Sequence, residues 1–163
     1  MTRAGFTLLE LVVTVAIIGV AGAVSLPLLA TAADGYAVST RVRTSVDQAT
    51  FALGTVGRLL REVPASGGEL SLQAFEASSF QLGDGRGVRL EARTLLLTDA
   101  EGATAPLCRE VDAFVLRAIA ADGATEVTDE PASAQRFEIS ITVSGMTLTT
   151  AAFPRSLTIG GTP

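Results

Sequence analysis

Hydrophobic residues dominate the chain from Leu11 to Ala33 without any periodicity, and no charged residue falls among them. About 20 apolar residues suffice to cross a bilayer, so this run predicts a transmembrane helix. Asp34-Gly35-Tyr36 marks the exit from the membrane, with Tyr36 near interfacial depth. The pattern then changes. Val38, Val42, Val46, Ala49, Leu53, Val56, Leu60 and Val63 recur at steps of four and three, while Arg41, Arg43, Asp47, Thr50, Arg58, Arg61 and Glu62 fall off that stripe. Such spacing predicts an amphipathic helix. One helix is therefore expected from about Phe6 to Val63, stopped by Pro64 and Gly67-Gly68.

Beyond it the period shortens to two. Val88–Arg93 and Phe137–Val143 alternate apolar with polar residues, as strands with one buried face do. Ser144-Gly145 divides the second of these from Met146–Phe153, which predicts a C-terminal hairpin. Ala113–Ala120, closed by Asp122-Gly123, reads as another strand. Leu95–Thr98 is a fourth candidate, although Leu95-Leu96-Leu97 alone does not separate strand from helix. Glu69–Leu82 reads as a loop that leaves room for a short helix or strand, Gly83–Gly87 as a glycine hairpin, and Thr125–Arg136 as a polar surface loop. A sheet with one apolar face needs a cover, and the Val38–Val63 stripe supplies one. The expected fold class is α+β: a long N-terminal helix, partly transmembrane, packed on a small antiparallel sheet.

One residue disturbs the apolar half. Glu10 places a carboxylate inside what would otherwise be an unbroken membrane helix; a charge near mid-span would cost roughly 2.5–3.5 kcal/mol, and the alternative is that Glu10 lies close enough to the cytoplasmic headgroups to stay hydrated. Four positions before it on the same helical face stands Phe6, preceded by Gly5 and a short polar leader. The ordered stretch Gly5-Phe6-Thr7-Leu8-Leu9-Glu10-Leu11-Val12-Val13 resembles the processing and assembly signature of type IV prepilins and of the pseudopilins of type II secretion. The resemblance covers about the first thirty residues. It implies that residues 1–5 are a leader, removed between Gly5 and Phe6 by prepilin peptidase, and that Phe6 is then N-methylated. A free amine at Phe6 would pair with Glu10 of the same or a neighbouring chain, and such a buried pair would set axial register. Gly19, Gly22 and Pro27 interrupt the span, and Pro27 is expected to kink or loosen the helix near Ala23. Glycine and proline are also common in transmembrane helices generally.

The implied division is 1–5 leader, 6–33 membrane half of the helix, 34–63 amphipathic half, and 64–163 an extracytoplasmic β-region forming one globular domain with 34–63. The implied partners are other pilins or pseudopilins, the prepilin peptidase and an inner-membrane assembly platform. The implied location is the bacterial inner membrane, single-pass with a cytoplasmic N-terminus, and then a pilus or pseudopilus. Arg58-Leu59-Leu60-Arg61-Glu62, a Val111–Leu116 strand and Phe153-Pro154-Arg155 loosely resemble the J-type minor pseudopilins or W-type minor pilins. The reading that competes with a filament subunit is a bitopic, membrane-anchored binding module that keeps its leader.

Composition narrows the remaining chemistry. The chain has 163 residues, a net charge of −5 and twelve basic residues, all arginine and mostly interspersed with acids. That distribution argues against direct nucleic-acid binding, which concentrates basic charge on one face. Histidine is absent, so Ser and Cys nucleophiles lack their usual base, and an enzyme is not expected. Cys108, the single cysteine, reads as a buried filler, with intermolecular pairing the lesser alternative. Glu126, Asp129 and Glu130 lack the ligand spacing and internal glycine of a calcium loop, and no metal or cofactor is expected. Gly83–Gly87 lacks the Lys-Ser/Thr ending of a phosphate loop.

Overall fold

In a computed structural model that describes residues 7–66, 69–127 and 130–156, a single helix, α1, spans Leu8–Arg61. Two units divide the chain, Met1–Arg41 and Val42–Pro163. In the first, the helix carries its apolar residues outward: Leu8, Leu9, Ile17, Ile18, Leu26, Leu28 and Leu29 are all more than 60% exposed. A helix apolar on all sides and bare of protein neighbours suits hydrocarbon rather than water. The helix is unbroken through Gly19, Gly22 and Pro27, so the expected interruption does not end it. Proline removes only one donor from the ladder, and the other backbone bonds of an apolar helix hold it.

In the second unit the helix turns amphipathic. Val42 and Val46 are half-buried, and from Ala49 on the buried set widens to Ala52, Leu53, Thr55, Val56, Gly57, Leu59 and Leu60. Val38, expected on the stripe, is 59% exposed, so burial begins about one turn later than the spacing alone suggested. Arg61 ends the helix, with Pro64 shortly beyond it.

Ten strands follow. β1 (Ala65–Ser66) and β2 (Glu69–Leu70) form a two-stranded ribbon. β3 (Leu72–Glu76), β4 (Ser79–Leu82), β5 (Gly87–Glu91), β6 (Thr94–Thr98) and β7 (Thr104–Cys108) form an antiparallel meander in chain order. β8 (Val111–Ile119), β9 (Arg136–Val143) and β10 (Met146–Ala152) form a second antiparallel sheet, ordered β10-β9-β8. The expected fold class holds, with more strand than the periodicity showed. Glu69–Leu82, read as a loop, contains β2, β3 and β4. Main-chain bonds join the two larger sheets, from Leu116 N–H to Ala77 O at 2.8 Å and from Val111 N–H to Arg93 O at 2.9 Å.

A single apolar core lies between these sheets and α1. Val56, Leu60 and Val63 meet Leu82, Val88 and Leu95 of the meander and Leu116, Phe137, Ile139 and Ile141 of the three-stranded sheet. Along β9 the buried residues alternate strictly, Phe137, Ile139, Ile141 and Val143, as a strand with one covered face requires. At Gly57 the helix passes over β9, where a Cβ would meet Cδ1 of Ile139 at an ordinary contact distance of 4.0 Å. The hydroxyl of Ser156 donates to Val63 O at 2.8 Å and ties the chain beyond β10 to the end of the helix.

Candidate functional site

Gly5 and Phe6 lie outside the described residues, so the chemistry of the helix start is read from Thr7 onward. Thr7 stands immediately before α1, and its Oγ1 accepts a hydrogen bond from Glu10 N–H at 3.3 Å. This satisfies one of the amides that a helix leaves unpaired at its beginning. The order Thr-x-x-Glu is that of a capping box, a signal present in the sequence but not read there. Glu10 lies in the first turn, where the helix dipole favours negative charge. Its carboxylate has no hydrogen-bond or ion-pair partner among the described residues, and its neighbours Leu9 and Leu11 are exposed at 74% and 58%. The site is thus an acid at the head of an apolar rod.

The other polar side chains of the span are sealed. Thr14, Ser25 and Thr31 each donate a hydroxyl to the carbonyl four residues back, on Glu10, Ala21 and Pro27, at 2.7, 2.8 and 3.0 Å. A hydroxyl satisfied in this way can enter hydrocarbon without a partner on another chain. Gly19 and Gly22 leave open space where a side chain would stand, and Ala16, Ile17, Val20 and Ala21 line a shallow apolar notch on the same stretch.

These features set the frame for comparison with known proteins. Residues 1–26 match the model of the prokaryotic N-terminal methylation motif. That match takes in Gly5, Phe6, Glu10, Gly19 and Gly22, and supports a prepilin-type subunit anchored by an apolar helix. Pro27 lies one residue past it. No curated protein is similar enough to the chain to stand as a relative. The β-region is therefore read from its own residues.

The remaining candidates fall into ordinary roles. Cys108, at the end of β7, is 1% exposed, and burial raises its thiol pKa. That keeps it a thiol, which is the less reactive form. Of Gly83–Gly87, residues Gly83–Arg86 form the β4–β5 turn and Gly87 opens β5; the turn is closed by Leu82 N–H to Arg86 O at 2.7 Å, with Asp84 accepting from Arg86 N–H and Nε. Of the acidic loop, Glu126 pairs with Arg117 at 3.2 Å and forms a bridge to Ile119, Glu130 is exposed, and Asp129 lies outside the described residues. Among the described residues no cluster of three potential metal ligands occurs. Asp122, nearby, accepts from the Thr125 hydroxyl and from the amides of Thr125 and Ala124, which lower its pKa to about 2. Its oxygens are occupied in holding its own turn.

Proposed function

We propose that the chain is a prepilin-like structural subunit, cut between Gly5 and Phe6, N-methylated on Phe6 and assembled through its N-terminal helix into a pseudopilus or type IV pilus. The observation that carries the reading is the methylation motif at residues 1–26, set on a helix whose apolar half faces its side chains outward and holds one acid, Glu10, the fifth residue after the cut. In this reading the amine of Phe6 pairs with Glu10 of a neighbouring subunit. Desolvating the pair is offset only where both charges meet, which favours one axial setting over its neighbours. The N-terminus begins on the cytoplasmic side of the inner membrane, and the β-region faces outward. Prepilin peptidase and an inner-membrane assembly platform are its partners along with other pilins or pseudopilins. In this reading it is a minor subunit, present in low copy and serving secretion or pilus assembly, a choice supported by the loose J-type and W-type similarities. Gly19, Gly22 and Pro27 are the points where the helix would loosen within a filament.

Mass spectrometry of the chain from its native membrane tests this. The expected N-terminus is methylated Phe6, and Gly5→Leu should leave residues 1–5 attached. A parent chain that retains Met1–Gly5 when assembled would instead favour a membrane-anchored binding module.

A further inference from the structure

Most arginines of the sheets hold an acid of the same chain. Arg86 pairs with Asp84, Arg89 with Glu91, Arg93 with Asp112, Arg117 with Glu126 and Arg136 with Glu138. Arg58 and Arg61 of α1 and Arg155, just past β10, pair with no carboxylate among the described residues, yet they line one groove of about 430 Å³. Arg61 Nε donates to Gly57 O at 3.0 Å, which fixes the guanidinium against the helix and leaves its terminal nitrogens for another acceptor. Glu62 is the single acid on the rim, and its carboxylate lies 3.8 Å from Arg86.

Three exposed guanidinium groups share this groove with one carboxylate, Glu62, which lies near Arg86, so in a chain of net charge −5 the groove is locally positive and favours an anionic ligand. The groove also offers apolar surface. Phe51 on its wall is 66% exposed, and at Gly54 a Cβ would meet nothing within 4 Å, so the floor is open. The chain is anchored on both sides of Arg155, by the buried Pro154 before it and by Ser156 after it, whose hydroxyl donates to Val63 O. Guanidinium forks suit carboxylates, and an exposed aromatic ring beside them suits an apolar anchor.

We infer that this groove is a docking site for an acidic peptide segment of another protein, its carboxylates taken by Arg58, Arg61 and Arg155 and an apolar side chain seated over Gly54 beside Phe51. The inference rests on the β-region and the end of α1, and is independent of leader processing. Fluorescence anisotropy of the full chain in detergent micelles tests it, with a labelled Asp-Glu-Leu-Asp-Glu-Phe peptide and its Asn-Gln-Leu-Asn-Gln-Phe counterpart. The acidic peptide should bind, more weakly as salt rises, and the neutral one should not. Arg58→Glu combined with Arg155→Glu should weaken binding roughly tenfold or more. Gly54→Leu should weaken it as well while leaving the melting temperature equal or higher, since leucine favours helix and the space is empty. The proposal is overturned if the acidic peptide does not bind, if the neutral peptide or the variants bind as well as the acidic peptide binds the parent, or if vesicles of phosphatidylglycerol compete the peptide away.

Discussion

Glu10 is the residue on which the reading of the first unit turns, and its surroundings say why it is legible. It is the only charged residue between Thr7 and Ala33, so no other acid competes for the role. Thr7 has no periodicity to mark it, as a lone threonine before an apolar run; the spacing Thr-x-x-Glu is the signal that points to it. Removing the carboxylate takes away a charge that lipid penalises, so Glu10→Ala should insert into the membrane at least as well as the parent. What it should lose is incorporation: the amount that co-purifies with sheared filaments or partner subunits should fall by about tenfold, as expected where a buried charge is left without its partner. Equal recovery of variant and parent would remove the pairing argument. The groove arginines were only partly legible, because Arg155 joins Arg58 and Arg61 through the fold and not through nearness in the chain.

At the scale of elements, strands with a run of alternating or apolar residues were readable, β8 and β6 among them despite a register shift in each, and shorter or proline-bearing strands were not. β9 and β10 with their Ser144-Gly145 turn follow the sequence pattern, both turn residues taking positive φ as a two-residue hairpin needs. β7 went unread because Pro106 sits within it. It is an edge strand paired only with β6, which is where proline is tolerated. β3 hides for another reason: its register shifts between Leu72 and Ala74, so Leu72 and Phe75 fall out of a period of two. The β4–β5 hairpin has a tighter requirement. A Cβ on Gly87 would stand 2.5 Å from Phe80 O and 3.1 Å from Cα of Gln81, both backbone atoms that cannot swing away. Gly87→Ala should therefore destabilise the β-region by ~1–3 kcal/mol, seen as a lower denaturant midpoint. An unchanged midpoint would show that the hairpin yields more than its packing implies.

For the molecule as a whole, the sequence suggested one small sheet under a helix, whereas two larger sheets and a ribbon share one core. The cause lies in residues that serve both sheets. Phe137 of β9 is fully buried and stacks against Phe75 of β3, ring centres 5.6 Å apart and tilted by 40°, so one aromatic pair joins the three-stranded sheet to the meander. No pattern within a single strand reveals such a pairing. Phe137→Ala should cost about 3–5 kcal/mol and lower thermal stability of both sheets together, followed by circular dichroism of the detergent-solubilised chain. Separate melting of two populations would contradict a shared core.

The hydroxyls of Thr14, Ser25 and Thr31, folded back onto their own carbonyls, carry a consequence for whatever lies beside this helix in lipid. A rod finished in this way gives an adjacent rod no directional grip along those turns, so sliding and rolling against it are cheap. Azimuth and height would have to be locked at one end, by the acid that has no such inward bond.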